Sequence, residues 1–448
     1  MIAPKSGFCI PDASFGMIEE CRWQVMNDIA AILISQTLLL IGARLTFALL
    51  LALVQAYVFR AVMRIVRMQG FGAQRGRAVL TLLWTLAAIV NLPLLIFVLE
   101  SLVSPGSLFL YSPTARFELI ARPMSYAFFI WNVGSILFAA MAPLTMAVFA
   151  SVQLIRRKTA RGNDVEAFDF SRRRFLRLAL MAAAAMPFAI SAYGAVAARN
   201  RRVVERVTVP IPDLPEQLEG LTIVQMSDIH AGLFMSESRM SECAEIANSM
   251  QPDLVALTGD FVASTSSQVQ SFIRAMSRAE ARLGVFGCLG NHDMFTQSER
   301  ALMKGFESAG FRLLRNENEF IDVNGARLNI IGLDFFLDGI GRGRVDDALR
   351  RIPLDGTTIL LLHAPQGFPE AAKMGIDLTL SGHTHGGQIA LTFGDLIITP
   401  ARLSTIFLAG LFRIGDSHLY VNRGLGTTGP PIRINAPPEI THITLRRA

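Results

Sequence analysis

Cysteine is scarce. The chain has four in 448 residues, Cys9, Cys21, Cys243 and Cys288, and none forms a C-x-x-C pair. That excludes a disulfide framework and a thiolate metal site. Cys288 lies in an apolar run and reads as a buried packing residue. Charge is scarce too: 17% of residues are Asp, Glu, Lys or Arg, against 52% hydrophobic. So apolar a balance implies membrane segments, and the length exceeds one ordinary domain. Acidic residues are missing from 60–77, and histidine appears only seven times in the whole chain. The basic excess is uneven. Residues 1–198 hold 18 Lys and Arg against 9 Asp and Glu, whereas 199–448 hold 24 against 27. Positive charge set between apolar runs points to membrane topology and away from a nucleic-acid surface.

Four apolar runs stand out, at about 30–59, 78–99, 124–154 and 175–197. Each is near or above the roughly 20 residues that a spanning helix needs. Arg44 interrupts the first, which reads as a span from near Arg44 onward with that side chain reaching an interface. Pro93 and Pro143 fall inside runs, as membrane helices tolerate. Loop charge sets the orientation. Residues 60–77 carry five arginines and no acid, and 155–177 carry eight basic residues against three acidic ones, so both loops are expected in the cytoplasm. The balanced loop 100–123, with Glu100 and Glu118 against Arg116 and Arg122, is expected outside. The fourth helix then exports everything after it. Arg199, Arg201, Arg202 and Arg206 sit just beyond it on the outer side, against the charge rule. "SRRRFLR", Ser171 to Arg177, has two readings: an internal twin-arginine-like export signal, or a basic cluster flanking a helix. Both put the C-terminal half outside.

From about residue 205 short apolar runs alternate with polar, helix-like stretches, as in an α/β domain of about 240 residues with a mixed sheet. Five apolar runs end in polar signatures: "SDIH" at Asp228 and His230, "TGD" at Asp260, "GNHD" at Asn291, His292 and Asp293, "LLHAP" at His363, and "SGHTHGGQ" at His383 and His385. Loops at the carboxyl ends of strands converge on one crevice in an open α/β sheet. Five of the seven histidines lie in these signatures; His418 and His442 fall in late strand-like runs and read as structural. Imidazole with carboxylate or amide and no thiolate suits Mn, Fe, Zn or Co. Seven donors are too many for one tetrahedral ion and suit two ions sharing a carboxylate, which can bind phosphate oxygens and an activated hydroxide. Glycines 259, 290, 382, 386 and 387 are expected to let the backbone approach a phosphate.

These five motifs in order resemble the calcineurin-like metallophosphoesterases, and the tail "NRGLGTTGPPIRINAPPEI" looks like a bacterial membrane-associated or exported branch. The resemblance covers about 205–448. It implies a four-layer αββα sandwich of two mixed sheets with helices outside; the transmembrane region of four helices at 1–198 is read from the apolar runs, and the resemblance does not explain its first three helices. It also implies one divalent metal on Asp228, His230 and His385, a second on Asn291, His363 and His383, and Asp260 bridging them. His292 would face the substrate, stabilise the phosphoryl oxygens and protonate the leaving group, with Asp293 orienting it. From the residues alone, Asn422 and Arg423 have two readings: the phosphate side of the site, or a turn with a solvated head. Asp253 and Asp377, each just before a strand, read as loop caps.

The expectation is a multi-pass protein of the cytoplasmic membrane, with a dinuclear phosphoesterase domain on its outer face. Its substrate is a phosphodiester, pyrophosphate or phosphomonoester, with a lipid head group suggested by location alone. Two rivals remain: a cytoplasm-facing pyrophosphatase of UDP-sugar lipids, and a membrane sensor whose domain only binds. The spans lack paired charges beyond Arg44, which argues against a transporter.

Overall fold

The computed structural model describes residues 38–39, 41–64, 73–103, 118–159, 169–335, 342–394 and 396–448. Residues 30–37 of the first apolar run, most of the loops at 65–72, 104–117 and 160–168, and Cys9 and Cys21 lie outside them. The N-terminal helices are α1 (Ile41–Arg64), α2 (Ala73–Val90), α3 (Leu92–Val103), α4 (Glu118–Thr159) and α5 (Asp169–Asn200). Among the described residues, four stretches are long and apolar enough to cross a membrane: Ile41–Arg64, Gln74–Leu99, Ile120–Pro143 and Met181–Asn200. The second run is therefore one span made of two helices. Pro93 lacks the N–H that would continue the ladder, and the helix breaks at Asn91, whose amide donates back to the Ala87 carbonyl at 2.8 Å. The third run starts earlier than expected, because α4 tolerates both Pro123 and Pro143.

Within the bundle, several polar side chains bond between helices or back to their own helix. Gln55 of α1 donates to Asn132 of α4 at 2.6 Å, Asn132 donates to the Phe128 carbonyl at 2.8 Å, and Ser191 of α5 donates to the Ile130 carbonyl at 3.0 Å. Trp131 stacks on Phe188 at 5.2 Å.

Two six-stranded sheets follow. The first runs β1 (Val203–Ile211), β14 (Glu439–Arg447), β2 (Thr222–Met226), β3 (Leu254–Thr258), β4 (Val285–Cys288), β5 (Arg312–Leu313). The second runs β12 (Gly410–Ile414), β13 (Ser417–Val421), β9 (Leu378–Ser381), β8 (Thr357–Leu362), β7 (Ala326–Leu333), β6 (Glu317–Val323). A small hairpin joins β10 (Leu391–Phe393) to β11 (Leu396–Ile398). Strands β2 to β5 are parallel, as are β7, β8, β9 and β13, while β14 and the edge strands β6 and β12 run antiparallel to a neighbour. Central strands such as "LVALT" and "TTILLL" are buried at every position, as parallel strands covered on both faces must be.

Helices α6 (Glu237–Ser249), α7 (Val269–Met276) and α9 (Glu299–Ser308) cover the first sheet through Met240, Phe272 and Phe306. Helices α10 (Arg342–Leu349) and α11 (Phe368–Lys373) cover the second through Val345, Leu349 and Ala371. Ile223, Ala256, Phe286, Ile330, Leu361 and Leu380 fill the space between the sheets. This is the expected four-layer sandwich. Asp253 and Asp377 act as expected, accepting from the Thr222 and Thr358 amides at 2.8 Å and so tying strand starts together.

The helices and the sandwich are joined tightly. Helix α5 ends at Asn200 and β1 begins at Val203. The chain segment around Ile432 and Ile434 packs on Val133, Leu137 and Ala195. Tyr126 of α4 meets Phe234 edge-on at 5.2 Å. The start of α4 and the end of α5 therefore lie on the side of the sandwich. Gly194 makes this approach possible: the Arg433 amide donates to its carbonyl at 3.0 Å, and a Cβ there would sit 2.8 Å from Ile432 Cγ2. Gly194→Val should lower stability by about 1–3 kcal/mol, the usual cost of overpacking. Thermal unfolding of the detergent-solubilised chain checks this, and an unchanged midpoint would contradict the close packing.

Candidate metal centre

Strand ends assemble the site. Asp228 and His230 follow β2, Asp260 follows β3, His363 follows β8, and His383 and His385 follow β9. Asn291, His292 and Asp293 open the short helix α8 (Asn291–Phe295) after β4. The structure brings all seven candidate ligands and His292 into one crevice. His230 Nε2 lies 3.1 Å from His385 Nε2, and His385 Nε2 lies 3.2 Å from Asp228 Oδ1. The Asn291 Oδ1 lies 2.8 Å from His383 Nδ1 and 3.2 Å from His363 Nε2. Between these groups, Asp260 Oδ2 lies 3.6 Å from His230 Nε2 and 3.3 Å from His363 Nε2.

The backbone is strained where these side chains sit. Asp228, His230, Asp260, His383 and His385 all have φ between 48° and 71°. Left-handed conformations of non-glycine residues cost free energy, and they gather at functional sites. The expected glycine role needs correction at two positions. A Cβ on Gly290 would lie 2.2 Å from Asp260 Oδ1, and one on Gly382 would lie 2.1 Å from Asp228 Oδ2. These glycines make room for the carboxylates.

Burial and pairing set the protonation. Burial alone would raise the Asp260 carboxyl, but His363 and His292 hold it well below the usual carboxylate range. On His363 burial pulls the pKa down, and the charge and hydrogen bond of Asp260 overcome it and push it up to about 10. Burial and then His292 lower His230 to about 3. Burial and then His363 lower His383 to about 4. Burial and then His230 hold His385 well below the ordinary imidazole value. Three imidazoles are thus neutral, with lone pairs available at neutral pH. Two ring nitrogens 3.1 Å apart, those of His230 and His385, can share one proton or one cation. The donors are imidazole nitrogen and carboxylate or amide oxygen, which suits a divalent transition ion. Triads Asp228–His230–His385, His230–Asp260–His292 and Asp228–Asp260–His363 each place donor atoms within 4.8 Å of one another.

Three expectations fail on geometry. Asp293 does not orient the His292 ring. Its Oδ2 accepts from the Gly290 and Asp260 amides at 2.9 Å, and its Oδ1 from the Phe261 amide at 2.9 Å and the Val262 amide at 3.3 Å. The Ala263 carbonyl takes the orienting place, 2.8 Å from His292 Nδ1. Asn422 is buried, donating to Thr441 Oγ1 and accepting from the Gly424 amide, both at 2.7 Å. Arg423 pairs with Glu205 and Glu439. Both residues brace strands and neither faces a phosphate.

Sequence reasoning also missed contributors. Thr428 Oγ1 lies 3.0 Å from both His230 Nε2 and His385 Nε2. Ser227 donates to Asp228 Oδ2 at 2.6 Å. Arg433 is fully buried beside His385, with Nη2 3.2 Å from its Nδ1, and donates to the Gly426, Arg423, Ala436 and Gly424 carbonyls. Thr428 and Arg433 stand in the "GTTGPPIRINAPP" tail, where the density of Gly and Pro was the available signal.

Residues 221–387 match the family model for calcineurin-like phosphoesterase. Over 283 residues the chain is 32% identical to an uncharacterized metallophosphoesterase, YkuE, of Bacillus subtilis (strain 168), covering 62% of this chain and 98% of that protein. It is 32% identical over 271 residues to a transmembrane protein with metallophosphoesterase domain of Danio rerio, covering 58% of this chain and 61% of that one. Among solved structures, a Thermus thermophilus protein superposes with a TM-score of 0.33 at 15% identity, covering 46% of this chain and 90% of its own.

The raised His363 pKa makes metal uptake compete with a proton. Below about 10 the metal-free ring is protonated, so divalent-metal affinity should rise with pH between 6 and 9 and each binding event should release protons. Calorimetry in buffers of different ionisation enthalpy checks this. His363→Gln should flatten the pH slope, and a slope unchanged by that variant would overturn the assignment.

Proposed function

The chain belongs to the calcineurin-like phosphoesterases, and on that premise we propose that it is a membrane-anchored phosphoesterase working with two divalent ions. Residues 1–198 serve as the anchor and 205–448 as the catalytic domain. The observation that carries the reading is Asp260, whose Oδ2 faces His230 on one side and His363 on the other at 3.6 and 3.3 Å. One carboxylate thus serves two sets of donors. Asp228, His230 and His385 are assigned to one ion, Asn291, His363 and His383 to the other, and Asp260 to both. Mn, Fe, Zn or Co bound there would supply Lewis acidity toward phosphoryl oxygens and a lowered pKa for water.

The chain's own groups position and protonate. The Asp260 carboxylate stays anionic despite burial and, with the two ions bound by the residues named above, would offset the repulsion between them. The Ala263 carbonyl engages Nδ1 of His292, which makes Nε2 the ring nitrogen proposed to act on the substrate. Hydrolysis forms one P–O bond from water and breaks the ester P–O bond: the departing oxygen takes the Nε2 proton of His292 in its imidazolium form, and the proton given up by the attacking water leaves to solvent and reloads that ring. The Asp293 carboxylate holds the loop that carries His292 through four backbone amides.

The substrate is a phosphodiester, pyrophosphate or phosphomonoester, and anchoring favours one carried on a lipid head group. Nucleic acid is not the expected partner, because the basic excess belongs to the membrane region. The arginine-rich segments 60–77 and 155–177 favour a cytoplasmic position for themselves, and so the outer face of the cytoplasmic membrane for the domain.

His292→Ala should keep both ions, read by elemental analysis, and slow turnover of an aryl phosphodiester by roughly 10²–10⁴-fold. Metal loss as deep as in His363→Ala would make His292 a ligand instead. For orientation, a reporter that folds only outside the cytoplasm should be active when fused after Ala448 and silent near Gly70. The opposite pattern would reverse the sidedness.

A further inference from the structure

The crevice does not stop at the histidines. A cavity of about 840 Å³ starts from His230, His292 and Thr428 and continues out of the sandwich between the membrane helices. That is near the upper end for small-molecule sites, and larger than a bare phosphoester head needs. Its far wall is apolar: Ile96 and Phe97 of α3, and Ile120, Ala121, Phe128 and Phe129 of α4. Phe128 lies eight residues beyond Ile120, about 12 Å further along the helix at 1.5 Å per residue. The spans that include these residues, Gln74–Leu99 and Ile120–Pro143, are apolar enough to cross a bilayer. Ile120 both lines the cavity and is 61% exposed at the domain-side end of its span, so the cavity opens sideways at the level of the lipid head groups, with Phe128 about two turns deeper.

Among the described residues, Arg44, Arg122 and Arg239 line it from α1, α4 and α6, and Glu237 lines it while paired with Arg274 at 2.7 Å. Arg44 and Arg122 stand within a turn of the domain-side ends of their spans, the level of lipid head groups.

We infer that this cavity binds one anionic membrane lipid, its phosphoryl group at the His230–His292 end and a hydrocarbon chain in the limb between α3 and α4, entering sideways from the bilayer. This deepens the proposed function and rests on it. A preformed limb lets the lipid leave the bilayer only partly: the chain exchanges lipid contacts for Ile96, Phe97 and Phe128, while the head exchanges water for arginines.

The test uses the full-length chain, Mn²⁺-loaded, in nanodiscs or detergent. Three probes are compared: phosphatidylglycerol, its deacylated glycerophosphodiester, and bis-p-nitrophenyl phosphate. The acylated probe should be turned over at least 30-fold more efficiently than the deacylated one. Ile120→Trp, at an exposed position, should cut lipid turnover at least tenfold and leave aryl phosphodiester turnover within twofold. Ala121→Trp, deeper in the limb, should do the same. Aryl turnover with no preference for acylated probe, or equal losses on both probes in Ile120→Trp, overturns the inference and leaves the hydrolytic reading standing. If no probe is turned over, the hydrolytic reading fails. Binding of fluorescent-chain phosphatidylglycerol to the metal-stripped chain then decides for the cavity. Binding weakened tenfold by Ile120→Trp supports it, and binding indifferent to that change sinks it.

Discussion

A buried carboxylate has to be kept charged, and much of the domain is arranged around that requirement. Asp260 is 2% exposed, where desolvation alone would neutralise it. His363 and His292 hold it anionic, and the His292 backbone amide donates to its Oδ1 at 2.8 Å. That amide is available because α8 begins there, and α8 is seated by Asp293. The Gly290 position must lack a side chain so that the carboxylate fits. The stacking of the two sheets carries the same constraint to longer range, since β3 of one and β8 of the other must end against each other across the sandwich for His363 to reach it.

Asp293 shows a second layer of the same logic. Burial and then the Asp260 charge raise its pKa, backbone amides and His363 oppose them, and the net is a carboxyl raised to about 7. It is a carboxylate used as a clamp on four amides of two loops. A substitution there would disturb Asp260, His292 and the β3–α7 loop together.

The layers and most of the site were legible in the sequence because parallel strands buried on both faces read as short apolar runs, and each run ends where chemistry begins. The αββα order and the grouping of Asp228, His230, Asp260, Asn291, His363, His383 and His385 follow from that pattern and the motif resemblance. What was illegible depends on side-chain direction after a chain reversal. Asp293, Asn422 and Arg423 are the right residue types near the right place, but local backbone turns them toward amides and strands. Thr428 and Arg433 reach the site across about 40 residues or more of sequence from His385 and carry no spacing signal. The break between α2 and α3 was marked by Pro93, but a tolerated kink and a true interruption look alike in composition.

The junction between α5 and β1 leaves only Arg201 and Arg202 outside regular structure. With Gly194 bonded to Arg433 behind it, the helix acts as a fixed axle and not as a tether. The crevice is therefore held at one angle to the helix that carries it. For the lipid substrate proposed above, encounters would be governed by areal density and lateral diffusion. The concentration that would matter is molecules per unit surface, and dilution of the surrounding water would leave that unchanged.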